Sequence, residues 1–254
     1  MSDLSGKVAL VTGASGGIGM ATARLLHERG ARLVLSDLAD EGPVELMAEL
    51  GKDAVWCRCD VTQEADNAAM VRIALDTFGT LDIAVLNAGI EGRAGAIGET
   101  SLENFDRVMA VNVRGVFAGL SQVMPVMKRA GSGVVTIISS TAGRRGTANL
   151  SPYITSKHAV VGLMKCAALE GAPHGVRVNT VNPGPIATRM MEQLEREFSP
   201  DSPQAAHEQL LGLIPAGRYG TAEEVAEMIA FLSSGRASYC SGNIYGVDGA
   251  YTAG

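Results

Sequence analysis

The sequence carries no surplus of positive charge: 21 lysines and arginines stand against 27 aspartates and glutamates, a net charge of −6. A polyphosphate backbone needs a basic footprint, so DNA and RNA are excluded as partners, whereas a local anion site built from backbone amides is not. No apolar run approaches the ~20 residues of a membrane span. The opening Met-Ser-Asp-Leu-Ser-Gly-Lys has no signal-peptide pattern. A cytoplasmic protein that touches neither membrane nor nucleic acid is expected. Cysteine is sparse as well. Cys57 and Cys59 share one face of a short apolar run, Cys166 and Cys240 stand alone, and no second pair gives zinc-ligand spacing. No metal is expected, and the four cysteines read as buried thiols in a reducing compartment. Internal repeats, low-complexity tracts and a Pro/Ser-rich linker are absent too, so the chain reads as a single domain over residues 1–254.

What is abundant is apolar surface and glycine. Apolar residues are 46% of the chain and charged residues 19%, ample for a large core and opposed to disorder. The 31 glycines in 254 residues are well above the typical ~7% and suit tight turns and close helix packing.

Along the chain a short β-like apolar run is repeatedly followed by a helical pattern. Runs at 7–12, 32–36, 54–59, 81–87, 133–139, 176–181 and 243–247 read as strands. Helical patterns occupy 18–30, 44–51, 64–78, 102–129, 151–170 and 221–234. The last of these opens on Thr221 with Glu224 three residues later, the signature of a capping box. Seven strands alternating with helices indicate an α/β, doubly wound (Rossmann-type) parallel sheet with helices on both faces. Residues 186–219 interrupt this regularity with two adjacent methionines, charged helical pieces and Ser-Pro-Asp-Ser-Pro, and are expected to form a lid over a site. A surface excursion is the other reading of that segment.

The first strand should turn into the first helix at residues 12–19, Thr-Gly-Ala-Ser-Gly-Gly-Ile-Gly. Glycines at Gly13, Gly17 and Gly19 are not spaced as G-x-G-x-x-G, but the physics is shared. Bare backbone can approach a pyrophosphate, and a helix N-terminus offers free N–H donors and a positive dipole end. An ordinary βα turn would look similar. Asp37 adds weight, because it ends the second strand 20 residues past Gly17, where a carboxylate can bind ribose hydroxyls and repel a 2′-phosphate. Neither Gly16 nor Ser36 supplies the positive charge that a 2′-phosphate would want. NAD, rather than NADP, is the expected cofactor.

Tyr153 and Lys157 follow the fifth strand at i, i+4 on a helix, which places phenol and ammonium on one face. A free phenol titrates near pH ~10 and is a poor base, but nearby cations favour the phenolate. It can then exchange a proton with a substrate hydroxyl. Ser140, thirteen residues before Tyr153, ends a strand on the sheet edge where ligands bind in such folds. Asn112 lies inside a helical stretch that does not favour asparagine. Taken singly, each has an ordinary alternative: a surface helix pair, a strand-ending serine, a solvent-facing asparagine.

With these residues in hand the chain is similar, over essentially its whole length, to the short-chain dehydrogenases/reductases of about 250 residues. The resemblance rests on the glycine loop, Asp60 in Cys-Asp-Val-Thr, Asn87-Ala-Gly89, the set Asn112, Ser140, Tyr153 and Lys157, and Pro183-Gly-Pro-Ile-Ala-Thr188. It implies cofactor contacts from Gly13, Ser15, Gly16, Gly17, Ile18, Gly19, Asp37, Asp60, Val61, Asn87, Ala88, Gly89, Pro183, Gly184, Ile186 and Thr188, with Tyr153 and Lys157. It also implies Tyr153 as acid/base, Lys157 as the group that lowers its pKa and binds ribose, and Ser140 as stabiliser of the substrate oxygen. Asn112 would position a water in a proton relay, and the protein would be a homotetramer using its last helix and strand. Ala250 stands where many relatives carry a second glycine.

The reaction implied is hydride transfer between NAD(H) and a small-molecule secondary alcohol or ketone. The pocket wall is expected from residues 90–97, 141–145 and the lid start at Met190, Met191 and Leu194. Asn-Ala-Gly-Ile-Glu-Gly, the Gly-Arg-Tyr-Gly segment and the Tyr-Thr-Ala-Gly ending resemble NAD-dependent dehydrogenases of cyclic or aryl alcohols. Arg93, Arg144 and Arg145 leave room for a carboxylate or acyl-carrier phosphate, although such residues are more often solvated. A 3-oxoacyl thioester reductase and a non-catalytic NAD-binding protein are the alternatives.

Overall fold

A computed structural model describes residues 3–199 and 202–253 of the chain. Seven parallel strands form one sheet: β1 (Val8–Thr12), β2 (Arg32–Asp37), β3 (Ala54–Arg58), β4 (Ile83–Leu86), β5 (Gly133–Ile138), β6 (Val176–Pro183) and β7 (Ile244–Val247), in the order β3-β2-β1-β4-β5-β6-β7. Strands β1, β4 and β5 are buried along their whole length, as a parallel sheet covered on both faces requires. The period-two alternation of a strand divides these side chains between two cores. Val8 and Leu10 pack with α3 (Glu64–Phe78), α5 (Gly115–Ala130) and α6 (Ser151–Gly171), through Met70, Val123, Met127 and Met164. Ala9 and Val11 face the other way, toward α1 (Gly17–Glu28), α2 (Val44–Leu50) and α9 (Ala222–Ser233), through Leu26, Leu46, Val225 and Ile229.

The order reverses between β1 and β4, and an open crevice at the C-terminal strand ends is where such a sheet binds ligands. Register aligns those ends. Thr12 pairs with Ser36, Leu86 with Ile137, Ile138 with Val181 and Pro183 with Val247. The residues that follow β1, β4, β5 and β6 therefore emerge side by side on one rim.

Two expectations need correction. The pattern at 102–129 is not one regular helix. α4 (Leu102–Met109) passes through a π-helical turn, Ala110–Arg114, before α5 begins. One extra residue per turn has no signature in a 3.6-residue apolar pattern, so periodicity runs straight through it. Nor are all four cysteines buried. Cys57 and Cys59 are, but Cys166 on the outer side of α6 is exposed and Cys240 is half-buried. The opening of the 186–219 segment is tied into the fold, and the charged helical pieces expected there are present. Ile186 bridges to Gly220 in parallel fashion and is 4% exposed, and α7 (Arg189–Phe198) and α8 (Pro203–Gly212) follow. The capping box at Thr221 and Glu224 is present with both its hydrogen bonds.

Candidate active site

The glycine loop leaves β1 at Gly13, whose φ of +67° is left-handed and whose absent Cβ would lie 2.8 Å from Asn87 Nδ2. A side chain there would strain the backbone and collide with the segment after β4. Asn87 fastens the two together, donating from Nδ2 to the carbonyls of Thr12 at 2.9 Å and Gly13 at 3.0 Å. The Thr12 hydroxyl in turn accepts from the amides of Asn87 and Ala88. Gly16 is the N-cap of α1 and has no side chain to cap it, so the first helical amides, from Gly17, Ile18 and Gly19, face the rim without intrahelical acceptors. Gly19 lets the helix press on the Gly13 carbonyl. This is a cradle for an anion made of backbone alone.

Asp37 lies at the end of β2 beside that cradle. Its Oδ2 accepts from the Ser15 amide at 3.0 Å and its Oδ1 from the Leu38 amide at 2.8 Å. Each oxygen keeps a lone pair for a further donor. Asp60 is held by the Thr62 amide at 2.9 Å and hydroxyl at 2.8 Å. Burial opposes its charge, but these bonds hold its carboxyl below the usual carboxylate range. Val61 packs against Gly115, where a Cβ would come within 2.8 Å of Val61 Cγ2.

Tyr153 and Lys157 share one face of α6, with Nζ 5.4 Å from the phenol ring centre. Lys157 is 6% exposed and donates to the Ile138 carbonyl at 3.0 Å. Burial lowers its ammonium to about 8, against a smaller upward pull from Glu91. Burial also raises the Tyr153 phenol to about 12; the Ser140 hydroxyl pulls it down and the Glu91 charge pushes it up. Ser140 Oγ accepts from the Ala142 amide at 3.1 Å and donates to the Pro183 carbonyl at 3.4 Å, a long bond that a substrate oxygen can replace.

Asn112 sits in the π-helical turn and is 1% exposed. Its Oδ1 accepts from the Ile90 amide at 2.8 Å, and its Nδ2 donates to the Ile90 carbonyl at 2.7 Å and to Ser156 Oγ at 3.0 Å. A solvent-facing asparagine is thereby ruled out. A Cβ on Gly89 would lie 3.3 Å from Asn112 Oδ1 and 3.5 Å from Lys157 Nζ, so the missing side chain marks where the two polar groups converge.

The segment after β6 closes the rim. Gly184 donates to the Val247 carbonyl at 3.0 Å, and a Cβ on it would meet Asp248 at 2.9 Å. Thr188 sets its methyl over Gly17, where an added Cβ would lie 2.9 Å away. The start of the 186–219 segment thus touches the anion cradle, although 171 residues separate Thr188 from Gly17. Beyond it Leu194 is 8% exposed and Met190 38%. Arg144 and Arg145 are engaged elsewhere. Arg144 donates to Thr252 Oγ1 at 3.0 Å, and Arg145 donates to the Tyr251 carbonyl and stacks 4.5 Å over that ring.

Sequence reasoning missed a supporting layer. Asn182 Nδ2 holds the Ser140 carbonyl at 2.6 Å, and Ser139 Oγ donates to the Lys157 carbonyl at 3.0 Å. Asn179 and Asn182 in β6, whose residues from Val178 to Pro183 are all buried, are the visible signal, since an asparagine inside a buried strand needs a partner.

Comparison with known proteins agrees with this geometry. A family model described as "Enoyl-(Acyl carrier protein) reductase" matches residues 13–252. Levodione reductase of Leifsonia aquatica is 38% identical over 97% of this chain and 94% of that protein. A crystal structure of levodione reductase, 38% identical, superposes with a TM-score of 0.95 over 98% of both chains. Cyclohexanol dehydrogenase of Acinetobacter sp. (strain SE19) is 40% identical over 97% of this chain and 95% of that protein. A structure of NAD+-bound xylitol dehydrogenase, 33% identical, has a TM-score of 0.93 over 97% of this chain and 99% of that one.

Proposed function

The chain belongs to the short-chain dehydrogenase/reductase family, and we propose that it transfers hydride between NAD(H) and a hydrophobic cyclic or aryl secondary alcohol or its ketone. It is an oxidoreductase acting on CH–OH groups. The observation that carries the reading is the meeting of Ser140, Tyr153 and Lys157 on the rim that also holds the uncapped α1 amides and Asp37. The glycine cradle fits a pyrophosphate, and Asp37 fits ribose hydroxyls and opposes a 2′-phosphate. That choice disfavours the NADPH-linked 3-oxoacyl thioester reductase.

NAD, when bound, supplies the hydride acceptor and brings a positive charge in its oxidised ring. The chain's residues handle the proton. Ser140 donates to the alcohol oxygen and fixes it beside the phenol. Tyr153 takes the hydroxyl proton in oxidation and returns it in reduction. In the free protein its phenol stays protonated, because burial holds it at about 12. Phenolate becomes accessible when cations gather beside it, and Lys157 is the protein's contribution. Asn112 and Lys157, converging at Gly89, hold a water that carries the proton outward. Residues 186–219 act as a lid over one catalytic unit spanning 1–254, with Leu194 and the two methionines as the apolar wall that excludes water.

The protein is further read as a cytoplasmic homotetramer. Its four cysteines are free thiols, and no helix among the described residues is long and apolar enough to cross a membrane. Phe117 and Leu102 are 60% and 80% exposed on the helices covering one face, and Met109, Val113, Phe117 and Leu163 line an apolar concavity there. Such a surface suits a second copy. Tyr239, between α9 and β7, is fully exposed, in keeping with an interface at the last helix and strand.

The test is a turnover assay of NAD and NADP separately against cyclic, aryl and linear secondary alcohols, with the ketones and an acetoacetyl thioester in reverse. NAD-dependent oxidation of ring alcohols is expected. Tyr153→Phe should lower kcat by about 10² or more while NADH still binds. Thioester reduction with NADPH alone, or full activity of Tyr153→Phe, would overturn the assignment.

A further inference from the structure

Arg144, Arg145 and the last residues of the chain form a device that hydride transfer itself does not use. Its centre is Asp248, the first residue after β7. Asp248 Oδ1 accepts from the Ala250 amide at 3.2 Å, and Oδ2 accepts from the Thr252 amide at 3.1 Å and hydroxyl at 2.6 Å. The Tyr251 amide adds a bond to the Asp248 carbonyl at 3.0 Å. One carboxylate thus folds residues 248–252 into a closed turn. The turn holds Ala250 at a φ of +69°, a left-handed backbone that a residue with a Cβ rarely adopts. Such a conformation persists only where its surroundings over-determine it.

Three segments of the rim are fastened to that turn. From the loop after β5, Arg144 donates to Thr252 Oγ1 at 3.0 Å, passing over β7 where a Cβ on Gly246 would lie 3.7 Å from its Nη1. Arg145 donates to the Tyr251 carbonyl at 3.3 Å and lays its guanidinium 4.5 Å over the Tyr251 ring. From the segment after β6, Gly184 lies so close that a Cβ would be 2.9 Å from Asp248 Cα. From the end of the 186–219 segment, the Ala216 amide donates to the Gly249 carbonyl at 3.1 Å. A Cβ on Gly249 would come within 2.9 Å of Ala216 Cβ and 3.0 Å of Ile214 Cγ2. Residues 144–149, between Ser140 and Tyr153, are all exposed, and the two arginines pin the start of that stretch. The turn therefore ties the loop that follows Ser140 to the end of the 186–219 segment.

We propose that Arg145 and Tyr251 are positioning residues which, through the turn at 248–252, fix the spacing between these two segments and so select compact ring alcohols over bulkier ones. This rests on the hydride-transfer reading given above, in which residues 141–145 and the 186–219 segment are two walls of the substrate space. Neither side chain touches the reacting atoms; both act on the walls. A wall pinned to the turn cannot yield to a larger ring, whereas a released one can. A guanidinium over an exposed tyrosine ring is a modest clamp, so breaking it loosens the wall without unfolding the protein.

The experiment compares kcat/KM for 4-tert-butylcyclohexanol with that for cyclohexanol, using NAD and the full-length protein. The readout is the ratio of the bulky to the compact alcohol in the wild type, Arg145→Ala, Tyr251→Ala and the double variant. NADH binding, followed in parallel, reports that each variant is folded with its cofactor site intact. A general loss of structure would lower both alcohols alike and leave the ratio alone. The ratio should rise about threefold or more in each single variant, with KM for cyclohexanol raised and NADH affinity unchanged. The double variant should gain little beyond Arg145→Ala, because one contact is broken in both. Tyr251→Phe, which keeps the ring, should retain the wild-type ratio. An unchanged ratio in both alanine variants, with NADH bound and cyclohexanol still oxidised, overturns the role of Arg145 and Tyr251 alone. Wild-type turnover of no ring alcohol overturns the hydride-transfer reading and this assignment with it.

Discussion

Asp37 Oδ2 accepts the Ser15 amide hydrogen at 3.0 Å, so the carboxylate expected to read the cofactor ribose also buttresses the glycine loop that would hold its phosphates. The two functions are linked through one side chain. Asp37→Ser should therefore do two things. Removing the charge should cut the preference for NAD over NADP by about tenfold or more, since a like-charge repulsion is lost. It should also weaken NAD binding itself, because Ser15 loses its acceptor. Kinetics with both cofactors would separate these effects; unchanged selectivity would mean that Asp37 serves the loop alone.

Lys157 carries a stability cost whose sign can be worked out. Its ammonium titrates at about 8 in the folded protein, against 10.5 ordinarily. The unfolded chain therefore holds more protons between those values, and stability rises with pH across that window. Below it the cost is fully present, on the order of 3 kcal/mol. Lys157→Met should raise the unfolding free energy of the cofactor-free protein near neutral pH, by that amount less about 1 kcal/mol for the donor lost to the Ile138 carbonyl. The gap between variant and wild type should close toward about pH 10, while turnover is lost at every pH. Thermal unfolding of both proteins across that range is the check.

Asn112→Ala removes three buried hydrogen bonds at once, two to Ile90 and one to Ser156. A loss of about 1–3 kcal/mol in stability is expected from the polar groups left unpaired. Because Ile90 and Gly89 border the reacting groups, kcat should fall roughly 10- to 100-fold through misplacement. Asn112→Asp should not rescue either loss, since a carboxylate cannot donate to the Ile90 carbonyl.

Glu195 ties α7 to α8 and to the residues before α9. It is 9% exposed, and its Oε1 lies 2.9 Å from His207 Nδ1 and accepts from the Tyr219 hydroxyl at 2.8 Å. α7, α8 and the residues before α9 meet at this one oxygen. Burial and then the Glu195 carboxylate push the Tyr219 phenol upward, which keeps it a donor. Glu195→Ala should loosen these elements, raise KM for the alcohol several-fold and speed proteolysis between 189 and 212, with NADH affinity far less affected. Equal proteolysis of variant and wild type would show that the clasp does not govern the order of this segment.

Much of the molecule was legible in advance, for identifiable reasons. A parallel strand buried on both faces must be apolar throughout, so β1, β4 and β5 announced themselves. The glycine loop, Tyr153 and Lys157 were legible because their chemistry is local: a turn that needs bare backbone, and two side chains one helical turn apart. Asn112 stood out only as a residue its helix should not favour. The reason for it, a π-helical turn gripping Ile90, lies in a contact 22 residues away. From the sequence Arg144 and Arg145 read as solvated residues or as ligands of a substrate carboxylate or phosphate; their contacts to Thr252 and Tyr251 are visible only in the fold.

The sequence by itself determined the class of fold, the bare-backbone turn after β1 and the placement of Tyr153 and Lys157 on one helical face, because periodicity, glycine spacing and i, i+4 placement are properties of short stretches. Only the tertiary structure decided what surrounds them. It laid Thr188 over Gly17 and Asn182 under Ser140, each across more than forty residues of chain. Burial, which moves Tyr153 up and Lys157 down, is likewise a property of the packed whole and has no residue-level signature.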